Sequence, residues 1–279
     1  MKNNQGFTLV EMMIAVTIFG IVMAGIYQTY DSQQKTYIMQ EQVIDMQQNN
    51  RTAIYFLGQE LRMAGYDPSG KADAKIDADS YMDSPGFNTA EIAEFEITMD
   101  LNGDRDLLDD SNEIIRYALT NDDEDGDGIS DAIDADWVNS GAECSLGREN
   151  INDNGTAASG GGLQPVADNI DAVEFLYILE NGDVTESADG VEREDIRGVI
   201  VSILARTKNM IKGYRNTTTY IPASREKDSG GNYLISDTRF IGTRPDTSWG
   251  PFDDRYRRNL YITRFKCRNM GRNPYAEMK

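Results

Sequence analysis

Gly6-Phe7-Thr8-Leu9-Val10-Glu11-Met12-Met13-Ile14-Ala15-Val16-Thr17-Ile18-Phe19-Gly20-Ile21-Val22-Met23-Ala24-Gly25-Ile26-Tyr27 sets the organisation of this 279-residue chain. From Leu9 to Tyr27 the only charge is Glu11, and the run has about the 20 residues a helix needs to cross a hydrocarbon core. A secretory signal would place a small-x-small cleavage site after such a run. Here Gln28-Thr29-Tyr30-Asp31 follows, and the polar stretch before the run is only Met1–Gly6. The pattern therefore predicts a membrane helix that is kept.

Glu11 inside an apolar run costs roughly 2.5–3.5 kcal/mol on insertion scales and calls for a compensating group. Cleavage after Gly6 would make Phe7 the first residue, with its ammonium one helical turn from the carboxylate. In a filament the ammonium of a neighbouring subunit could serve instead. A carboxylate that snorkels to the interface is the other reading, and the residues alone leave both open.

Gly6-Phe7-Thr8-Leu9-Val10-Glu11 resembles the GFTLxE prepilin signature of type IV pilins and type II secretion pseudopilins. The resemblance implies cleavage between Gly6 and Phe7 by a prepilin peptidase, N-methylation of Phe7, and an assembly role for Glu11. It also implies storage in the bacterial inner membrane as a single-pass protein with a periplasmic domain, before export to the pilus and cell surface. Many major pilins carry a proline near the end of the apolar run, where Gln28 stands here, so helix melting during assembly has less support. Further along, Ile114-Ile115-Arg116-Tyr117, the Val201–Thr207 segment and Thr263-Arg264-Phe265-Lys266-Cys267-Arg268-Asn269 resemble the PilW family of minor pilins. That implies a subunit that primes or joins type IV pilus assembly in motility or adhesion, with other minor pilins and the major pilin as partners. A type II secretion minor pseudopilin and a membrane-anchored adhesin or enzyme stand as alternatives.

The fold class expected is α+β. Apolar residues continue at three- and four-residue steps through Tyr30, Tyr37, Val43, Ile44, Ile54, Leu57 and Leu61, and no proline interrupts residues 7–64. Gly65 and Pro68 then supply a stop. This divides the chain into a leader (1–6), a transmembrane or filament-core helix (7–30), its amphipathic continuation (31–65) and a β-rich globular domain (66–279). Strands are expected at 93–99, 113–119, 171–179, 199–205 and 260–267, arranged as an antiparallel sheet on which the helix packs. The segment from Thr207 to Asn259 is too long for a structureless loop, so short strands or a surface excursion are expected in it.

Composition narrows the chemistry. There is no histidine, which excludes histidine-based triads and histidine-ligated metals, and 47 Asp and Glu make any paired-carboxylate pattern a chance match. No catalytic site is read. The net charge of −20 disfavours nucleic acid. It is unevenly spread: residues 196–279 carry 17 Lys and Arg against 7 Asp and Glu, whereas residues 1–195 carry 10 against 40. Cys144 and Cys267 would form one disulfide in an oxidising compartment or remain two thiols.

Asp123-Glu124-Asp125-Gly126-Asp127-Gly128-Ile129-Ser130-Asp131-Ala132-Ile133-Asp134 has the ligand spacing of a calcium loop. Asp123, Asp125, Asp127, Asp131 and Asp134 would supply carboxylates and Ile129 a backbone carbonyl, with Gly128 at the sharp turn. Five converging carboxylates repel without a cation, which favours calcium over a solvated acidic loop. Asp100-Leu101-Asn102-Gly103-Asp104-Arg105-Asp106 is a second candidate, read instead as a hairpin turn because Arg105 stands where the loop needs glycine.

Overall fold

The computed structural model describes residues 7–69, 85–104, 107, 112–120, 129, 144–151, 162–188, 191–242 and 248–271. The chain divides into two compact units, Met1–Ile44 and Asp45–Lys279. Helix α1 runs from Leu9 to Glu60. One further turn follows it, ending at Gly65, whose φ of 72° places it in the left-handed region that favours glycine.

Within the second unit, α1 buries a stripe of Met46, Asn50, Ala53 and Leu57, continued by Leu61 and Ala64. The steps of three and four residues are those of one helix face. In the first unit Tyr30, Tyr37 and Ile44 are exposed.

Two five-stranded sheets form the domain rather than the single sheet expected. In the first, β1 (Phe87–Ala90), β2 (Phe95–Thr98), β3 (Ile114–Leu119), β4 (Ser145–Asn150) and β5 (Gln164–Asp168) lie in sequence order, all antiparallel. In the second the order is β10 (Arg258–Lys266), β8 (Ile196–Arg206), β6 (Ile170–Leu179), β7 (Val184–Thr185) and β9 (Phe240–Ile241). Its pairs are antiparallel apart from the two-residue β7–β9 pair, which is parallel. Asn169, with a φ of 58°, is the corner at which the chain leaves one sheet for the other. A single helical turn, α2 (Val191–Glu194), precedes β8.

All five expected strands are present. β4 and β5 were not expected, since residues 147–164 are rich in Gly, Asn and Ser. Pairing with β3 holds β4 in place, together with an Arg148–Glu60 ion pair of 2.8 Å. Pro165 is tolerated in β5 because that strand is an edge.

The sheets meet through aromatic rings. Phe95 stacks on Tyr117 and meets Phe175 edge-on at 4.9 Å, and Phe87 meets Tyr177 edge-on at 5.7 Å. The Tyr177 hydroxyl donates to the Glu91 carbonyl at 2.8 Å. Strand alternation puts Phe175 and Tyr177 on one face of the second sheet and Ala172, Glu174 and Leu176 on the other. The Thr207–Asn259 excursion covers that other face with Ala223, Phe240, Trp249 and Phe252. It contains β9, a 3₁₀ turn at Ala223–Arg225 and isolated bridges such as Tyr220–Trp249, so both forms expected of it occur together.

Candidate functional site at the N-terminal helix

Helix α1 begins with a capping box. Thr8 precedes the first helical residue, and its backbone N–H and its hydroxyl both donate to Oε2 of Glu11, at 2.8 and 2.9 Å. The Glu11 N–H donates back to the Thr8 hydroxyl at 3.3 Å. The Thr-x-x-Glu spacing is the signature of this reciprocal cap, and it gives Glu11 a partner inside its own chain that the readings above left out.

Phe7 to Tyr27 is exposed along its whole length, Phe7 itself at 87%. An 18-residue window of α1 has a mean hydropathy of 2.3, and none of it is buried. The helix is therefore long and apolar enough to cross a membrane. The Thr17 and Thr29 hydroxyls do not oppose this, because Thr17 donates to the Met13 carbonyl at 2.8 Å and Thr29 to the Gly25 carbonyl at 3.0 Å. Such back-bonding satisfies each of these two hydroxyls within the helix. Glu11 is then the one charged side chain between Phe7 and Tyr27, on a largely apolar, exposed surface.

Residues 1–27 match the family model described as Prokaryotic N-terminal methylation motif. The N-terminus therefore carries a prokaryotic N-terminal methylation motif. Among solved structures, a type IV-like pilin from Thermus thermophilus is similar, at 12% identity and a TM-score of 0.39, covering 81% of this chain and 97% of that one. A comparison with curated proteins gave no match. Gly6, Phe7 and Glu11 all fall within the matched residues, and Gly6 lies outside the described ones.

The calcium reading falls largely outside them as well. Asp123, Asp125, Asp127, Asp131 and Asp134 are not described, and Ile129 alone is. Ile129 is fully buried, bridged to Ala172 and packed with Leu204, Trp249 and Phe252, so the middle of the acidic segment is anchored on the second sheet. Among the described residues no group of three or more acidic or cysteine side chains is arranged to hold a metal. The Asp100–Asp104 stretch folds as a turn: Asp100 accepts from the Gly103 N–H at 2.6 Å, and Glu113 accepts from the Leu101 N–H at 2.7 Å.

Cys144 and Cys267 are both buried and are not joined, which corrects the possible disulfide. The topology explains why. The Cys144 carbonyl accepts from Ile170 at the start of β6, whereas the Cys267 N–H donates to Arg197, beside Ile178 at the other end of that strand. Eight residues of strand, about 25 Å, separate the two places, and a disulfide needs Cα atoms within about 7 Å. Burial pushes the Cys267 thiol up to about 12, so it is held as a neutral thiol.

Sequence periodicity gave no sign of two buried charge groups. Asp171 lies between Arg206 and Arg258, at 2.9 and 2.5 Å, and Arg258 also reaches Asp254 at 2.7 Å. The two guanidiniums stack on Tyr256 and Phe252. Glu174, 2% exposed, accepts from the Ser202 hydroxyl at 3.1 Å and the Ser224 N–H at 3.2 Å. Burial raises its carboxyl above the ordinary range. Both groups tie the excursion to the second sheet.

Proposed function

We propose that this chain is a minor pilin of the PilW kind that primes or joins assembly of a type IV pilus. The observation that carries the reading is the GFTLVE junction at the head of an apolar helix that nothing covers. An exposed apolar stripe of this size needs either lipid or other helices around it. A subunit stored in the inner membrane and then packed into a filament meets both in turn. A prepilin peptidase removes Met1–Gly6, and Phe7 is methylated. The Glu11 carboxylate is capped by Thr8 within its own chain and has a second oxygen with which to meet the ammonium of a neighbouring subunit. The β-rich domain is displayed on the periplasmic side and then on the pilus, next to other minor pilins and the major pilin. Calcium bound by Asp123, Asp125, Asp127, Asp131, Asp134 and the Ile129 carbonyl would stiffen the acidic segment, whose centre is pinned on the second sheet through Ile129.

Intact-mass analysis of protein extracted from membranes tests the processing step. The expected mass is that of residues 7–279 with one added methyl group, and an N-terminus at Met1 or beyond Tyr27 would overturn the reading. Deleting the gene should abolish pili and twitching while leaving protein secretion intact. Loss of secretion with normal pili would assign the chain to a pseudopilus instead.

A further inference from the structure

Among the described residues the second sheet ends in an edge with no further strand beside it. Among the described residues β10 has one neighbour, β8, paired in continuous register from Arg258–Arg206 to Lys266–Gly198. Beyond its two ends, Thr207 N–H donates to the Arg257 carbonyl and Cys267 N–H donates to the Arg197 carbonyl. That phase turns the backbone groups of odd-numbered residues toward β8 and those of Leu260, Ile262, Arg264 and Lys266 away from it. The outward groups form a row of roughly 20 Å with no strand to receive them.

A groove of about 770 Å³ runs beside this row, lined by Leu260 and Ile262 of β10 and by Tyr220, Ile221, Arg225 and Lys227 of the excursion. Ile221 is 49% exposed, so the apolar wall is open to solvent. Arg264 and Lys266, both exposed, continue the line beyond it, and among the described residues the only acidic side chain in the groove wall is Glu226. Unpaired backbone donors and acceptors, apolar sockets and a cationic rim are the parts that strand addition uses.

We propose that the outer edge of β10 receives an extra β-strand from a partner protein, an extended segment that alternates apolar with acidic residues. Main-chain hydrogen bonds to Leu260, Ile262, Arg264 and Lys266 supply the pairing. Apolar side chains of the segment enter the groove against Leu260 and Ile262, and its carboxylates meet Arg225, Lys227, Arg264 and Lys266. The excess of cations in residues 196–279 favours an acidic partner over a basic or neutral one.

Fluorescence anisotropy on the full chain in detergent micelles tests this with three labelled heptapeptides: Glu and Val alternating, Lys and Val alternating, and the first with every amide N-methylated. The acidic peptide should bind, and the other two at least tenfold more weakly. Arg264→Glu with Lys266→Glu should weaken the acidic peptide at least tenfold. Ile262→Pro removes an outward N–H while leaving the β8 ladder whole, and it should do the same; if that variant does not fold, the charge reversal and the methylated peptide still decide. Equal binding of all three peptides, or unchanged binding by the charge reversal, would overturn the proposal. No binding by any peptide would show that Arg264 and Lys266 instead block the edge. Self-association of the chain that blocks the acidic peptide and is lost in Arg264→Glu with Lys266→Glu would identify a second copy as the occupant and overturn the proposal.

Discussion

The Thr8 hydroxyl and the Glu11 carboxylate close a reciprocal cap at the first turn of α1, 2.9 Å apart. A glutamine at position 11 could make the same cap, since the capping box accepts Glu or Gln, but it could not neutralise an ammonium. Glu11→Gln therefore separates the two roles. Glu11→Ala and Glu11→Gln should both insert in the membrane and both be depleted in sheared pili, while Thr8→Ala should incorporate more nearly like the wild type. Wild-type incorporation of Glu11→Gln would reduce the role of Glu11 to capping.

Gly58 lies against Phe265. A Cβ at position 58 would come within 2.5 Å of the Phe265 ring, which is itself buried. Alanine in a helix interior is ordinarily worth about 1 kcal/mol over glycine. Here overpacking should outweigh that gain, so Gly58→Ala is expected to destabilise by about 1–3 kcal/mol in denaturant melts. Adding Phe265→Leu should cost less in the Gly58→Ala background than in the wild type, because the two residues touch. A stabilising Gly58→Ala would contradict the packing of α1 on β10.

Glu174 gives a pH dependence of known sign. Burial raises its carboxyl in the folded state, so the folded protein holds the proton more tightly than the unfolded chain does. Its favourable contribution is complete below about pH 4.3 and is lost as pH rises through the folded value. Glu174→Gln keeps the oxygen that accepts from Ser202 and Ser224 and removes the titration. The stability of the variant relative to wild type should therefore increase from pH 4 to pH 8. A difference that stays constant over that range would show that Glu174 titrates as an exposed carboxyl.

The acidic segment should respond to calcium. An ion that binds only the folded state stabilises it by about 2.7 kcal/mol at a hundredfold excess over Kd. A chelator should lower the melting temperature, and magnesium should restore it poorly because its smaller octahedral shell retains water. Asp125→Ala with Asp127→Ala should melt low from the start and ignore the chelator. Absence of a calcium-dependent shift at millimolar calcium would make the segment a solvated surface.

The N-terminus was determined by the sequence alone. The apolar run, the Thr8-x-x-Glu11 spacing and the stop at Gly65 depend on neighbours within a few residues, and local chemistry settles them. The five expected strands were legible for the same reason, the one at Phe95–Thr98 by alternation of apolar and polar residues and the others as short runs rich in apolar and β-branched residues. Only the tertiary structure decided which strands share a sheet, because β4 and β5 are polar segments that hydrogen-bonded neighbours hold in place. It also decided the burial of Asp171 and Glu174, acidic residues among Ala172, Val173 and Phe175 that would ordinarily turn to water. Their faces are closed by groups far along the chain: Arg258 lies 87 residues beyond Asp171, and Ser224 lies 50 beyond Glu174. Periodicity records that a strand has two faces, but whether the second meets water depends on where a distant segment comes to rest.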